Sequence, residues 1–499
     1  MVRPIRTDVV VVGGGPVGML LAAELGAYQV GVVVLEATAA TSVRPRATTL
    51  HARTVQSLAR RGYLPGPERA SDTGTVSSAF HFAGLPGLSI TAPATEPVPI
   101  LKRPQADLER LFEGRARSRG VRVLREHRLT ELHQRPGAVR VVAEGPQGRV
   151  VCDALSVVGA DGARSSVREL AGMTSDTHGV TVAAMMGMVR LETAGALPAG
   201  WHRTPRGWVV VKDAPDGCAH IRTVNHTRPH PDHRLPLTLE ELRRETSRIM
   251  GRDIAMTAPR WLSRFSDYTR LAHGYRAGRV LLAGDAAHVY FPIGGQGLST
   301  GLLDALNLGW KLALTVRGTA GRGLLDSYDA ERRPAAGRVI GNVRAQVSLM
   351  HPGPRFDGLR AVFLDLLAKD GGGAGLSAMI SAQDTVLPVR SATPSAWEGR
   401  FLQNIALTTD AGPTDVIRLL RDGRLLLLLG QDGCDAYESA ARGWARHLRV
   451  VRARPLSEVP WAALLVRPDG YIAWASDGGD LGAALCAQLG HGNRSHGHG

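Results

Sequence analysis

Two glycine-rich segments hold the residues whose types and spacing suit chemistry. The first reads Gly13-Gly14-Gly15-Pro16-Val17-Gly18. The second, far downstream, runs from Gly284-Asp285 through Pro292-Ile293-Gly294-Gly295-Gln296-Gly297-Leu298. In the first, one glycine lets the chain turn sharply, the next lets backbone approach a pyrophosphate, and Gly18 lets a helix pack closely on a strand. The amides at the start of that helix favour an anion. Glu36, at the end of the next apolar run, suits ribose hydroxyls. In the second segment, Asp285 suits the hydroxyls of a ribityl chain, and the glycine turn suits the face of a ring. One dinucleotide gripped twice in this way is FAD rather than NAD.

Other residues have two readings. Arg46 and Arg53 contact a phosphate or flavin edge, or lie on a solvated helix face. Asp161 caps a helix near Ser165 or orients a bound nucleotide. His51, His220 and His288 are of the right type to deprotonate a phenol, although structural or capping histidines are commoner. No Ser/His/Asp triad or metal cluster is recognisable. The Gly/His-rich tail at 491–499 reads as a disordered end rather than a metal grip.

The elements that must position these residues follow from pattern. Residues 8–12 form an apolar, β-branched strand, 19–27 a helix, and 31–35 a second strand. Residues 76–104 leave for a second sheet. A helix is expected over 106–119, opened by Pro104-Gln105, and 121–124 and 139–143 read as strands of a small antiparallel excursion. Runs at 180–191, 208–212 and 218–224 form a β-rich region, with a helix at 238–249 and a bridging segment at 259–265. Residues 279–283 are a strand, and 302–313 a helix beside the second glycine turn. Residues 352–395 carry one helix, 356–368. An α/β module closes the chain, with strands at 424–429 and 448–453, a helix at 435–447, and a hairpin around Asp469-Gly470. The fold class is α/β. The expected division is a dinucleotide-binding domain (1–75, 100–175, 272–385), a β substrate domain (76–99, 176–271), a C-terminal domain (386–490) and the tail.

The bulk numbers agree. With 499 residues and 44% hydrophobic content, several domains and a large core are possible. The net charge of +15 comes from arginines dispersed along the chain, with lysine only at 102, 212, 311 and 369, so no nucleic-acid surface is expected. Cys152, Cys218, Cys434 and Cys486 have no short pairing, which suits a reducing cytoplasm. No apolar run is long enough to span a bilayer, and the first strand begins too early for a signal peptide.

The motifs together resemble the group A flavoprotein monooxygenases, aromatic hydroxylases built like para-hydroxybenzoate hydroxylase. Within them the chain is most similar to actinomycete aromatic polyketide hydroxylases and to rifampicin-type monooxygenases. The resemblance spans essentially the whole chain. It rests on residues 13–18 with Glu36, on Asp161-Gly162, and on Gly284-Asp285 with Pro292 and residues 294–297. Residues 259–265 and 466–474 look typical of the polyketide branch. The resemblance implies a Rossmann-like FAD-binding domain of the glutathione reductase type, a β-sheet substrate domain and a thioredoxin-like C-terminal domain. That last domain lacks Cys-x-x-Cys, so no thiol redox role follows.

By the same resemblance, Gly13, Gly15, Pro16, Gly18 and Glu36 hold the ADP half. Leu129 meets the adenine, and Arg46, Arg53 and Gln105 line the flavin side. Asp285 takes the ribityl chain, and Pro292, Gly295, Gly297 and Leu298 meet the ring. FAD is the cofactor, with NADPH or NADH and O2 as co-substrates; Asp161, Arg164 and Arg46 are implied helpers for the nicotinamide nucleotide. The implied activity is hydroxylation of a polycyclic aromatic polyketide through a flavin C4a-hydroperoxide. Baeyer–Villiger insertion and antibiotic inactivation use the same chemistry and stay open, as does a flavin-binding partner protein without turnover. Three departures stand out: Ser299 where Asn is usual, Tyr28-Gln29 where a small residue and Gly end the first helix, and Phe291 where Pro or a polar residue is common.

The region 176–269 is expected to wall the substrate pocket. Trp201, Trp208, Met185, Met186 and Met188 offer flat or soft apolar contacts, or are sheet core. Phe291, Ile293 and Gly294 line the pocket from the second loop. With no convergent Arg/Ser/Tyr set in view, a broad, mainly apolar cavity for several fused rings is expected. The expected partner is that small molecule, with no nucleic acid or membrane, in a cytoplasmic monomer or homodimer.

Overall fold

A computed structural model describes residues 3–42, 46–67, 74–193, 195–214, 216–226, 235–430, 434–455 and 461–492. Most of the tail, with His496 and His498, lies outside them.

The valine-rich strand Ile5–Val12 lies between Val32–Glu36 and Gly148–Gly159, all parallel. Both faces of such a strand are covered, which is why its second half is uninterrupted valine with Val9, Val10 and Val11 fully buried. Arg122–Arg125 adds outside Val32–Glu36, and Val280–Leu282 outside Gly148–Gly159, again parallel. The register aligns Leu124, Leu35, Val12, Gly159 and Leu282 in one row across five strands. The loops that leave this row therefore share one edge, the carboxyl edge where ligands of parallel sheets bind. Helix Pro16–Ala27 packs against Gln105–Ser118 and Gln296–Val316.

The second layer is an antiparallel five-stranded sheet in the order Gly200–Thr204, Gly207–Asp213, Ala219–Asn225, Ala183–Leu191, Met256–Ser266. Alternation gives it two distinct faces. Val209, Val211 and Ile221 pack on Leu242 and Ile249 of helix Leu239–Met250, which Thr238 and Glu241 close with a capping box. Val210, Arg222, Met186 and Ser263 form a cross-strand row on the opposite face. A hairpin, Thr75–Phe82 with Leu85–Pro93, and the 23-residue helix Ser327–Leu349 complete this half.

The C-terminal part is a four-stranded mixed sheet in the order Leu448–Arg452, Leu425–Leu429, Ala463–Val466, Ile472–Ala475, with helices Asp435–Ala441 and Leu481–Leu489. It is joined to the rest by a buried ion cluster. Arg467 donates to Glu331 at 2.9 and 2.8 Å and to Asp469 at 3.0 and 2.6 Å. Lys311 reaches the same Glu331 at 2.7 Å, and Asn307 bridges Glu331 and Asp469. Tyr28, where the first helix ends, donates its hydroxyl to the Gly423 carbonyl and packs against the C-terminal core. No described helix is long and apolar enough to cross a membrane.

Several expectations are corrected. Residues 122–125 are not part of an antiparallel excursion; they add a parallel strand to the main sheet, because the helix before them supplies the crossover. Residues 259–265 are not a bridge but lie within strand Met256–Ser266. Pro259 is tolerated because this is an edge strand with a bulge opposite Met188–Arg190. Residues 352–395 hold two helices, Asp357–Ala368 and Ala374–Ile380. The helix expected to 447 ends at Ala441 and passes into a 3-10 turn around Gly443.

Candidate active site

One cleft of about 1180 Å³ follows the carboxyl edge of the parallel sheet and continues onto the open face of the antiparallel sheet. At the first end stands the loop after Val12. Gly13 has φ +108°, and a Cβ there would lie 2.3 Å from the Ala160 carbonyl oxygen, so only glycine allows the turn. Gly18 does not line the cleft; a Cβ on it would sit 2.0 Å from the Gly13 oxygen, so it is the joint between strand and helix. No side chain caps the helix at Gly15, which leaves its first-turn amides facing the cleft. Glu36 accepts from the Gly14 amide at 2.5 Å and from the Thr38 amide and hydroxyl at 2.7 and 2.6 Å. Leu129, Gln105 and Arg46 line the same stretch, and Gln105 is steadied by Glu109 at 2.8 Å.

The loop after Leu282 brings in Asp285. Its side chain opens into the cleft and accepts no hydrogen bond among the described residues. The protein walls crowding it push its carboxyl above the ordinary range, against the pull of His288 and Arg46, although the side chain itself is exposed to the cleft. Behind it, Asp304 accepts from the Gly284 amide at 3.1 Å, from His288 at 2.7 Å and from Arg332 at 2.8 Å. Burial alone would raise the Asp304 carboxyl; His288 and Arg332 more than offset this and hold it low. Gly294 and Gly295 then turn at φ +71° and +65°, and helix Gln296–Val316 begins with no side-chain cap. The His51 ring holds the Gly294 carbonyl at 2.8 Å, and the His51 amide donates to Ser299 at 3.1 Å. Asp161 accepts from the Val167 amide at 3.1 Å through one oxygen, while its other oxygen is buried without a partner.

These residues fit FAD. Two uncapped helix N-termini face one cleft, and between them lie Glu36, an orphaned Asp161 oxygen and an unpaired Asp285. The uncapped amides suit an anion, and the Asp161 oxygen and the Asp285 carboxylate suit donors that no described residue supplies, while Glu36 is already fixed in place by Gly14 and Thr38.

At the other end the lining is Phe80, Met186, Trp201, Val224, Phe265, Phe291, Ile293 and Met350, with Lys102, Lys212 and Arg222 among them. His81 stacks on Phe80 with ring centres 4.7 Å apart, and burial, with Lys212 and Lys102 adding, pushes it down to about 4.

The structure gathers Gly13, Gly15, Pro16, Glu36, Arg46, Gln105, Leu129, Asp161, Arg164, Asp285, Pro292, Gly295, Gly297 and Leu298 at this cleft, together with Met186, Trp201, Phe291, Ile293 and Gly294. It does not place Arg53 there. That guanidinium lies 3.6 Å over the Phe401 ring and donates to Gln56 and the Gln383 carbonyl, because its helix is buried on the side of the C-terminal part. Trp208 is also absent from the wall. Its indole donates to the Met350 carbonyl at 2.6 Å and sits behind Trp201. Met185 faces the helix side of the sheet, and Met188 does not line the cleft. His288 and His51 are positioning groups, and the unpaired Nε2 of His220 does not reach the lining. Sequence reasoning missed Asp304, visible as a lone acid in an apolar helix. It also missed the three cations, which no local pattern unites.

A two-ended cleft with these donors defines a flavoprotein. Residues 6–343 match the FAD binding domain family, and residues 395–491 match the C-terminal region of aromatic-ring hydroxylases. The chain belongs to this family and is a flavin-dependent aromatic hydroxylase. It is 37% identical over 488 residues to the 12-dehydrotetracycline 5-monooxygenase/anhydrotetracycline 6-monooxygenase of Streptomyces rimosus, covering 94% of this chain and 95% of that one. It is equally 37% identical to a dialkyldecalin synthase of Streptomyces rugosporus, over 96% and 97% of the two chains. CabE, an aromatic hydroxylase from angucycline biosynthesis, superposes with a TM-score of 0.88 at 33% identity, over 97% of this chain and 99% of that one.

Proposed function

We propose that the protein uses FAD and NAD(P)H to hydroxylate a polycyclic aromatic polyketide in antibiotic biosynthesis. The continuity of the cleft carries this reading. Single drug-sized ligands occupy about 300–1,000 Å³, so 1180 Å³ running from Gly13 to Phe265 suits a dinucleotide with a second molecule beside it. Bound and reduced FAD would supply the activated oxygen. The amides of Gly13–Gly15 and the helix behind them would hold the pyrophosphate, Glu36 a ribose and Asp285 the ribityl hydroxyls. The second helix N-terminus, at Gly295 and Gly297, would stabilise negative charge on the ring. Trp201, Met186 and Phe265 would flatten the substrate and exclude water.

Three finer readings go with this proposal. The parallel sheet with its helices is a Rossmann-like domain of the glutathione reductase type. The C-terminal sheet, a parallel pair joined to an antiparallel hairpin, is thioredoxin-like. The boundaries are those expected from the sequence. Purified protein should be yellow, consume NADPH, and place one labelled oxygen atom from 18O2 into a fused-ring phenol. A colourless protein that neither binds FAD nor oxidises NADPH would refute the reading. The similarity to a dialkyldecalin synthase favours a second reading, flavin binding without oxygen transfer; FAD retention with no label in any product would select it.

A further inference from the structure

Lys102, Lys212 and Arg222 come from three different strands and line the same end of the cleft. None has a carboxylate partner among the described residues. Lys102 donates to the Thr49 hydroxyl at 2.7 Å, and Arg222 donates to the Met186 sulfur at 3.0 Å. The carboxylates of the lining are Glu36, Glu109, Asp161 and Asp285, and all belong to the dinucleotide end. The cations repel one another: after burial, Lys212 lowers Lys102 and Arg222 lowers Lys212. Like charges lining one wall of a cleft, with Arg222 half-buried and both lysines open to it, favour an anionic ligand over a neutral one. The corner adjoins the apolar lining of Met186, Trp201 and Val224.

We propose that the fused-ring substrate is an acid whose anionic oxygen, a ring carboxylate or an ionised phenol, sits between Lys102, Lys212 and Arg222 and fixes which edge of the ring system is presented for oxidation. This rests on the reading of the cleft as the place of a fused-ring substrate. Charge-assisted hydrogen bonds supply both orientation and affinity.

The test uses FAD-loaded enzyme and three probes: anthraquinone-2-carboxylate, its neutral carboxamide, and 2-hydroxyanthraquinone. The carboxylate should bind about ten-fold or more tighter than the carboxamide, the scale of one charge-assisted hydrogen bond. The alternative source is an ionised phenol, signalled by a red-shifted absorbance of the bound hydroxyanthraquinone at a pH where the free dye is neutral. Lys212→Gln and Arg222→Gln should erase whichever signal is seen and Arg222→Lys should keep most of it, with FAD content confirming that each variant folds. Equal binding of acid and amide with no ionised dye overturns this proposal alone, as does a signal that survives both Gln variants. Binding of none of the probes overturns the fused-ring reading and the proposal together.

Discussion

Asp285 is a carboxylate that has no donor among the described residues and opens into the cleft. Asp285→Ala should leave cofactor hydroxyls unpaired and cost about 1–3 kcal/mol of FAD affinity, read by flavin fluorescence titration; wild-type retention would mean that another group holds the ribityl chain. Asp304 differs in kind, since both its oxygens are committed to protein. Asp304→Asn leaves Arg332 buried beside a neutral partner, and about 3–5 kcal/mol of stability should be lost near neutral pH. The sign with pH is fixed. A carboxyl held below its unfolded value of about 3.9 stabilises the fold above that pH and ceases to as pH falls through the folded value. Urea melts of the two proteins should therefore converge in acid; a constant gap would show that lost packing, not charge, is responsible. The place of Asp285 in the cleft was legible because it follows from a local motif. Arg53 was not, because sequence spacing does not tell which way a side chain on a buried helix points. The three cations share no motif at all: Lys212 and Arg222 lie on paired strands of the antiparallel sheet, and Lys102 arrives from a separate two-stranded sheet.

The junction of Ile5–Val12 with Pro16–Ala27 is an element-scale contact made by backbone. Gly18→Ala would put a methyl group 2.0 Å from the Gly13 oxygen. Strand and helix must then separate, at a cost of about 1–3 kcal/mol or more. Both melting temperature and FAD content should fall together; a variant that keeps both would show that the loop can shift freely. The strand–turn–helix–strand unit around this joint was readable because valine runs and glycine spacing agree. Helix Ser327–Leu349 escaped because its buried residues, among them Glu331, Arg332 and Gln346, are polar as often as apolar, and Pro334 breaks the pattern further. Strand Met256–Ser266 was hidden by Pro259, which is tolerated only because the strand lies at an edge.

At the scale of the molecule, the C-terminal part is fastened through charge rather than through an apolar seam alone. Glu331 and Asp469 share Arg467, with Lys311 and Asn307 around them. Arg467→Met leaves the buried Asp469 without a cation among the described residues and Glu331 with Lys311 alone, and unfolding should need about 3–5 kcal/mol less, with faster protease cleavage after residue 386. If the variant melts like wild type, the cluster does not hold the parts together. The sequence showed that a C-terminal α/β module exists, but not that Asp469, read as a turn residue, is half of its anchor.

That anchor has a hereditary consequence. A recombination event that exchanged only the last hundred or so residues between related genes would separate Arg467 and Asp469 from Glu331, Lys311 and Asn307, and a hybrid lacking matched partners would carry buried charge with no counterion. A hybrid of this kind therefore needs both sets of residues from its parents, whereas Lys212, Arg222 and Trp201, on the cleft side of the antiparallel sheet, take no part in the joint.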